Sequence, residues 1–237
     1  MENEYNVEPI NYQDCLPFIL DIHYARRVPS ISWAFGLFKK GDNPHDLFRI
    51  GPLVGIVSFG TPPSPSLCEG VCGVEHKENV IELNRLVLRD NLKNEASFLV
   101  SRALKLLPKP KVVVSYADTA QDHTGVIYQA LNFVYTGMSA KRTEWVVRGS
   151  NLHSKTIVSQ STLEERIANP EKYEVVDRSQ KHRYIYFLGN KREKKEFKQA
   201  LRYQIKDSYP KASIDTQSPI TTETSITPQI DLSVSSN

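Results

Sequence analysis

The sequence lacks several of the features by which large classes of protein are usually recognised. No run of its 237 residues approaches the roughly 18 consecutive apolar residues of a membrane-spanning helix. Its first residues, MENEYNVEPI, have neither the basic residues nor the apolar stretch of a secretory signal peptide. Only three cysteines are present, an odd number that fits a reducing compartment better than a disulfide framework. We therefore expect a protein of the cytoplasm that has no membrane as a partner.

Common nucleotide-binding and hydrolase motifs are also absent. The sequence contains no GxxxxGK[ST] and no GxGxxG, so nothing in it supports a P-loop or a Rossmann dinucleotide site. It contains no GxSxG either, which argues against an α/β-hydrolase. Any chemistry must therefore depend on residues outside these motifs.

Positive charge is concentrated in one segment near the end of the chain. Residues 178–211 contain eleven Lys or Arg residues and three acidic residues, although the whole chain has a net charge of only +3. Such a segment is either a solvated helix face or a surface for a polyanion, and composition alone does not decide between them. If it binds DNA, the phosphate contacts are expected from Arg183, Lys191, Arg192, Lys194, Lys195 and Lys198.

Hydrophobic periodicity predicts helices and strands along the whole chain up to about residue 203. Helices are predicted over 11–26, 96–107, 124–133, 163–168 and 190–203, and strands over 31–38, 53–59, 81–88, 111–116, 142–148 and 182–189. The order is similar to that of GNAT acyltransferases. This similarity implies an α+β fold with a mixed, mainly antiparallel, twisted sheet flanked by helices.

The same pattern suggests three segments. We expect a GNAT-like catalytic core over residues 1–150 and a basic C-terminal extension over 151–211, a strand and a helix that pack on the core. Half of residues 212–237 are Ser, Thr or Pro, a composition typical of a disordered tail.

The densest set of reactive side chains lies in VVVSYADTAQDHTGVIYQALNFVYTG, residues 112–137. A buried strand ends near Asp118, where α/β sheets commonly place ligands, and His123 and Tyr128 follow in a loop and a helix. These three side chains have two interpretations. Either they converge on a site that binds a metal or moves protons, or Asp118 is a cap, His123 is solvated and Tyr128 packs in the core.

Three further features allow both a functional and a structural interpretation. His23 and Tyr24 end the first predicted helix, where a histidine often only interacts with the helix dipole. Arg85 lies in an apolar strand, as an internal ion-pair partner or as a ligand for an anion. Cys68, Cys72 and His76 are spaced by three residues, but no second ligand pair accompanies them, so a zinc site is not favoured.

Several of these segments together resemble the Mom family of phage adenine-modification proteins. The similar stretches are HY at 23–24, GVEH at 73–76, ELNRLVLRD at 82–90, SFLVSRALK at 97–105, SYADTAQDHTGVIYQALNFVYTG at 115–137 and KHRYIYFLG at 181–189. The resemblance covers roughly residues 20–211. It implies a DNA-modification enzyme that adds a carbamoylmethyl group to the exocyclic amine of adenine. The product would protect phage DNA from restriction in the cytoplasm of the bacterial host.

The resemblance also implies roles for particular residues. His23, Tyr24, Asp118 and Tyr128 match the positions linked to activity in the family and to a bound iron, and Arg85 and Ser101 match further positions of the shared pattern. The substrate would be DNA, with the adenine flipped from a duplex or presented on a single strand.

Two departures from the expected pattern leave other functions open. Asp122 precedes His123 where the family usually has glycine, which leaves the role of His123 open. The turn RDNLKNEAS, residues 89–97, has no glycine, whereas GNAT enzymes cradle the cofactor pyrophosphate on a glycine-rich turn there. Acetyl-CoA is therefore not safely inferred. The alternatives are a conventional N-acetyltransferase that uses acetyl-CoA and a non-catalytic DNA-binding accessory protein.

Overall fold

The structure is a computed structural model that describes residues 1–41, 50–150, 152 and 154–211. The strands are β1 Tyr5–Pro9, β2 Trp33–Lys40, β3 Ile50–Gly60, β4 Val80–Leu88, β5 Lys111–Asp118, β6 Val134–Met138, β7 Arg142–Val147, β8 Tyr173–Arg178 and β9 Lys181–Leu188. The α-helices are α1 Tyr12–Pro17, α2 Pro65–Cys72, α3 Glu95–Leu106, α4 Val126–Ala130, α5 Ser154–Gln160, α6 Leu163–Ala168 and α7 Lys191–Ala200. The disordered tail expected over 212–237 lies outside the described residues.

Seven strands form one sheet in the order β1-β2-β3-β4-β5-β9-β6, and β7 and β8 form a separate two-stranded ribbon. Every neighbouring pair in the large sheet is antiparallel except β4 and β5, which are joined through α3 and run parallel. The expected mixed, mainly antiparallel sheet flanked by helices is confirmed. None of the helices in the described ranges has the length and apolar character needed to cross a bilayer.

The parallel strands β4 and β5 separate towards their carboxyl ends. Their pairing joins Val80–Leu83 to Val112–Ser115. Both strands continue, to Leu88 and to Asp118, without further pairing between these described residues. The opening between residues 84–88 of β4 and residues 116–118 of β5 is called the crevice below. Ligands of open α/β sheets bind at such carboxyl ends.

Hydrophobic layers cover both faces of the sheet. On one face, Leu99 and Val100 of α3 pack with Val113 of β5, and all three are fully buried. On the other face, Val71 of α2 and Phe197 of α7 pack against β5 and β9. Truncating a fully buried apolar side chain typically costs about 2–5 kcal/mol, so these layers hold the strands of the crevice firmly in place.

Strand β9 lies inside the sheet, between β5 and β6. Tyr184 and Ile185, which project to opposite faces, are both fully buried. Burial on both faces is typical of an interior strand rather than of an edge. The boundary expected at residue 150 therefore does not divide the sheet: residues 151–211 supply one of its interior strands as well as α7.

The first helix ends before the predicted residue 26. Helix α1 leads into a π-helical turn, Phe18–Ile22, and His23 is then extended, with φ −70° and ψ 133°. Helical hydrogen bonding cannot continue through an extended residue, so His23 and Tyr24 lie on a loop beyond the helix. Single π-helical turns are frequent at functional sites.

Helix α2 is not predicted from periodicity, because its first turn lies in the proline-rich segment TPPSPS. The Ser64 side chain accepts a hydrogen bond from the N–H of Leu67, and Pro65 takes the first helical position, where no N–H is required. Cys68 and Cys72 of this helix are buried in the core, and burial raises the pKa of both thiols. His76 packs its ring against Phe197, with 5.3 Å between the centroids.

Candidate active site

The rings of His23 and Tyr24 stack on each other at the edge of the crevice, with 4.3 Å between their centroids. His23 Nδ1 accepts a hydrogen bond from the N–H of Ala25 at 3.0 Å. Burial, assisted by the charges of Arg85, His123 and Lys181, lowers the pKa of His23 to about 4. His23 is therefore neutral at neutral pH, with its proton on Nε2.

The loop after β5 reaches this pair of rings. The ring of His123 meets Tyr24 edge-on, with 6.2 Å between the centroids, and the N–H of His123 donates to the carbonyl of Asp118. Tyr24 is 50% exposed, so one large aromatic surface remains open beside the crevice. Asp122, the departure from the family pattern, has a left-handed backbone and an exposed side chain.

Asp118, the last residue of β5, is held by donors on both carboxylate oxygens. Oδ1 accepts from the N–H of Ala120 and from the hydroxyl of Ser179, and Oδ2 accepts from Nζ of Lys181 at 2.6 Å. Burial raises the pKa of Asp118, but these hydrogen bonds and the Lys181 charge outweigh it and leave the pKa below its ordinary value. Asp118 is therefore a fixed anion at neutral pH, although only 8% of it is exposed.

Tyr128 approaches the crevice from the opposite face of the sheet. Its ring packs against Phe133 and Tyr184, with centroid separations of 5.4 and 5.3 Å. Its hydroxyl interacts with Ser115, the last residue of β5 that pairs with β4. Burial raises the pKa of Tyr128 to about 12, so its hydroxyl remains a proton donor at neutral pH.

Arg85 links β4 to the loop that carries His23 and Tyr24. Its guanidinium donates to the carbonyl oxygens of Arg27 at 2.7 Å and of Asn84 at 2.6 Å. Its Nε is buried without a hydrogen-bond partner among the described residues. Arg85 thus contacts backbone carbonyls, and the electrostatic effects of its charge reach Tyr24, His23 and Glu82.

Glu82 also belongs to this group, although neither the sequence pattern nor the family resemblance predicts a role for it. It lies on β4 opposite Val114, within the last paired residues before the crevice. Burial raises its pKa to about 7, against the opposing charges of Arg85 and Lys181. In the sequence, this site could have been found from the acidic residue inside the apolar run IELNRLVL, because a charged group in an apolar strand is costly unless it is paired. A carboxyl group that titrates near neutral pH is suited to accept a proton.

Ser101 is the one expected site residue that lies elsewhere. Its hydroxyl donates to the carbonyl of Phe98, and it lines a cavity of about 200 Å³ together with Leu188 and Gly189. Leu188 pairs with Lys111 at the start of β5. Tyr186, which pairs with Val113, also lines this cavity, so Ser101 lies beside the first half of β5 and not at its carboxyl end.

The expected DNA-binding residues fall into two sets. Five are exposed side chains of α7: Lys191, Arg192, Lys194, Lys195 and Lys198. Arg183 is different, because it lies on β9, donates from Nε to the Thr136 hydroxyl at 2.9 Å, and stacks its guanidinium 3.3 Å from the ring centre of Tyr203. The exposed α7 face is free to meet a polyanion, whereas Arg183 already has partners within the protein.

The residues expected to bind iron do not fit a metal site. Across the described ranges, no three His, Cys, Asp or Glu side chains are grouped so as to hold a metal ion. Both oxygens of Asp118 already accept hydrogen bonds, one of them from a lysine ammonium, and His23 Nδ1 is also occupied. A metal at these atoms would compete with these donors, so no step of the chemistry is assigned to iron.

The turn between β4 and α3 does not fit the pyrophosphate of coenzyme A either. Glu95, in the first turn of α3, is only 3% exposed, and its carboxylate accepts from the N–H of Leu92 at 2.8 Å. Tyr5 also bonds to this carboxylate, an interaction that together with burial raises the pKa of Tyr5 to about 12. This buried carboxylate in the first turn of α3 would repel phosphate groups brought close to the turn.

Among solved structures, the chain is similar to N-acetyltransferases. An N-acetyltransferase from Staphylococcus aureus Mu50 is 15% identical, with a TM-score of 0.41, over 78% of this chain and 99% of that one. NAA60 from Arabidopsis thaliana, in complex with acetyl-CoA, is 12% identical, with a TM-score of 0.46, over the same shares. Likenesses this distant carry no argument about activity.

Comparison at the sequence level is more specific. Methylcarbamoylase Mom of Escherichia phage Mu is 32% identical over 202 residues, which cover 81% of this chain and 78% of that protein. The family model of the Mom protein family matches residues 4–211 of this chain. That range includes every residue grouped around the crevice. The chain therefore belongs to the Mom protein family.

Proposed function

We propose that this protein is a transferase that modifies adenine in DNA by adding a carbamoylmethyl group to the exocyclic amine. The observation that carries the proposal is the 32% identity over 202 residues to a phage Mu protein named as a methylcarbamoylase. The modified DNA resists host restriction enzymes.

The reaction centre proposed here is the crevice with His23, Tyr24, Asp118 and Tyr128 around it and Arg85 behind the first two. The exocyclic amine of adenine is not accessible within a stacked duplex, so the base is flipped out or taken from a single strand. The half-exposed ring of Tyr24, backed by the ring of His23, offers a surface on which the base stacks.

One proton must leave the amine during the transfer. A bond forms between the amine nitrogen and the methylene carbon of the incoming group, and the donor's leaving group departs with its electron pair. His23, with a pKa of about 4, is a weak proton acceptor at neutral pH. Glu82, with a pKa of about 7, is matched to that pH, so Glu82 takes the proton.

The other side chains have supporting roles in this proposal. Tyr128 and the neutral His23 are hydrogen-bond donors that orient the base and the donor group. Lys181, fixed by Asp118, places a positive charge near the developing negative charge of the leaving group. The exposed lysines and arginine of α7 contact DNA phosphates.

The proposal is tested by mass spectrometry of nucleosides from plasmid DNA after expression of the protein in bacteria. The wild type is expected to produce a heavier deoxyadenosine whose added mass equals one carbamoylmethyl group, and the plasmid should resist restriction digestion. Asp118→Ala should abolish the product. Asp122→Ala, which removes an exposed carboxylate from the same loop, is the matched control and should retain it.

Unmodified DNA from folded, well-expressed wild type would overturn the proposal. Tight acetyl-CoA binding together with acetylation of a small-molecule or protein amine would then identify a conventional N-acetyltransferase. DNA binding with no modified nucleoside would instead identify a non-catalytic accessory protein.

A further inference from the structure

The ribbon formed by β7 and β8 brings two arginines together beside the crevice. Arg142 opens β7, Arg178 ends β8, and the two are direct cross-strand partners. Both side chains are exposed, and neither has an ion-pair partner among the described residues. Like charges directly opposite each other destabilise a strand pair, and an anion bound between them would relieve this repulsion.

The base of the ribbon is tied directly to the proposed reaction centre. Ser179, the residue after Arg178, donates to Asp118, and Lys181 follows two residues later with its ammonium on the same carboxylate. On the other strand, the positive charge of Arg142 is close enough to Tyr116 in the crevice to lower the pKa of that phenol against the larger effect of burial. The end of the ribbon that carries the two arginines therefore lies beside the crevice.

Hydrogen bonds hold this base rigidly against the sheet. Ser139, three residues before Arg142, exchanges hydrogen bonds with Lys181: its N–H donates to the Lys181 carbonyl at 2.8 Å, and its hydroxyl accepts from the Lys181 N–H at 2.9 Å. The side chain of Gln180 donates to the Ser139 carbonyl at 2.6 Å. A charge pair mounted on such a fixed base keeps its position relative to the crevice.

The far end of the ribbon has the opposite character. Arg148 forms an ion pair with Glu174 at 2.7 Å, and Lys172 lies 3.7 Å from Glu165. Positive charge at that end is neutralised within the protein. Only the end beside the crevice presents unpaired cations, and a polyanion will be attracted to that end.

We infer that Arg142 and Arg178, together with the exposed Lys141, bind the DNA phosphates that flank the adenine in the crevice. The inference rests on the proposed function, since it assumes that the adenine enters there. Directly opposed strand residues have Cα atoms about 4.5–5.5 Å apart, so the two guanidinium forks can each bind one of two adjacent phosphates. A two-stranded ribbon is also narrow enough to lie along a groove of duplex DNA.

The test is the salt dependence of DNA binding by the full chain, measured with a fluorescent duplex that contains a single unpaired adenine. Each phosphate contact contributes about 0.9 to the slope of log K against log salt concentration. The Arg142→Gln/Arg178→Gln double variant is expected to lose about 1.8 from this slope. The matched control, Arg148→Gln/Lys172→Gln, removes the same charge from the far end of the ribbon and should lose less than half as much.

An unchanged slope for the Arg142/Arg178 double variant, or an equal change in both double variants, would overturn the inference. If either double variant fails to fold, judged by circular dichroism, the single variants Arg142→Gln and Arg178→Gln should each lose about 0.9. Nucleoside mass spectrometry on the same wild-type preparation separates the two proposals. If the wild type modifies adenine but the slope of the Arg142/Arg178 double variant is unchanged, only the inference about the ribbon arginines is refuted. If the wild type produces no modified adenine, the proposed function is refuted. A wild type that does not bind DNA refutes both.

Discussion

Glu82→Gln should abolish activity and at the same time stabilise the protein at alkaline pH. The glutamate is partly buried on β4 at the inner end of the crevice, and its pKa is raised from the usual 4.5 to about 7. Glutamine has nearly the same shape but neither a charge nor the ability to accept the proton. Loss of a general base commonly costs 10²–10⁴-fold in rate, so we expect the modified nucleoside to fall by about that factor.

The effect on stability has the opposite sign. Because the folded pKa lies above the unfolded one, the folded protein binds more protons between pH 4.5 and about 7, and its stability falls as pH rises through that window. The difference between the folded and the unfolded pKa of Glu82 corresponds to about 3 kcal/mol, which partial solvation reduces to about 1–3 kcal/mol. At pH 8, Glu82→Gln should therefore be more stable than the wild type by about 1–3 kcal/mol, whereas at pH 4 the two should be nearly equal.

Urea denaturation at pH 4, 6 and 8 measures the stability, and nucleoside mass spectrometry measures the activity. Glu78→Gln is the matched control, because it removes an exposed carboxylate just before β4 and should alter neither quantity. If Glu82→Gln retained full activity, or were less stable than the wild type at pH 8, the role assigned to Glu82 would be wrong. Wild-type activity should also fall about tenfold per pH unit below pH 7 as Glu82 becomes protonated.

Three further predictions concern other parts of the molecule. Asp118→Asn should destabilise the protein by about 3–5 kcal/mol at pH 7, because Lys181 loses its ion-pair partner. The difference from the wild type should shrink as pH falls below about 4, where the Asp118 carboxylate becomes protonated. Denaturation curves at pH 7 and 3 test this. Phe197→Ala should lower the unfolding free energy by about 3–5 kcal/mol, because the ring is only 3% exposed. An unchanged melting temperature in calorimetry would contradict this. Replacing the four α7 lysines with glutamine should weaken binding to all DNA sequences alike and flatten its salt dependence, while an unchanged affinity would exclude α7 from the interface. Those lysines are Lys191, Lys194, Lys195 and Lys198.

The grouping of Asp118 with Tyr128 could be anticipated because both residues flank the end of one strand. Strand ends, loop positions and helix starts are local features, and periodicity locates them. His23 and Tyr24 needed the family resemblance, since their approach to β5 depends on a π-helical turn that no periodicity reveals. Glu82 was missed because the pattern shows which face of β4 a residue occupies but not what lies opposite it.

Other features could not be predicted because they depend on distant parts of the chain. The position of β9 between β5 and β6 is fixed by pairing across about 70 residues, and its burial on both faces becomes informative only once the sheet order is known. The pairing of Arg142 with Arg178 is likewise a matter of register, and the sequence gives no reason to align them. Ser101 matched the family pattern, but its hydroxyl bonds to the carbonyl of Phe98 within α3 and lines a separate cavity.

The interior position of β9 determines when the crevice can be completed during synthesis. The donors that fix Asp118 come from Ser179 and Lys181, which lie 61 and 63 residues later in the chain. Until those residues leave the ribosome, β5 has an open edge and its terminal carboxylate has only the nearby N–H of Ala120 as a donor. Such distant pairing also slows folding, because a long loop must close before any contact forms. A nascent chain that stops before residue 179 therefore contains His23, Tyr24, Asp118 and Tyr128, yet lacks the strand that holds them in a working arrangement.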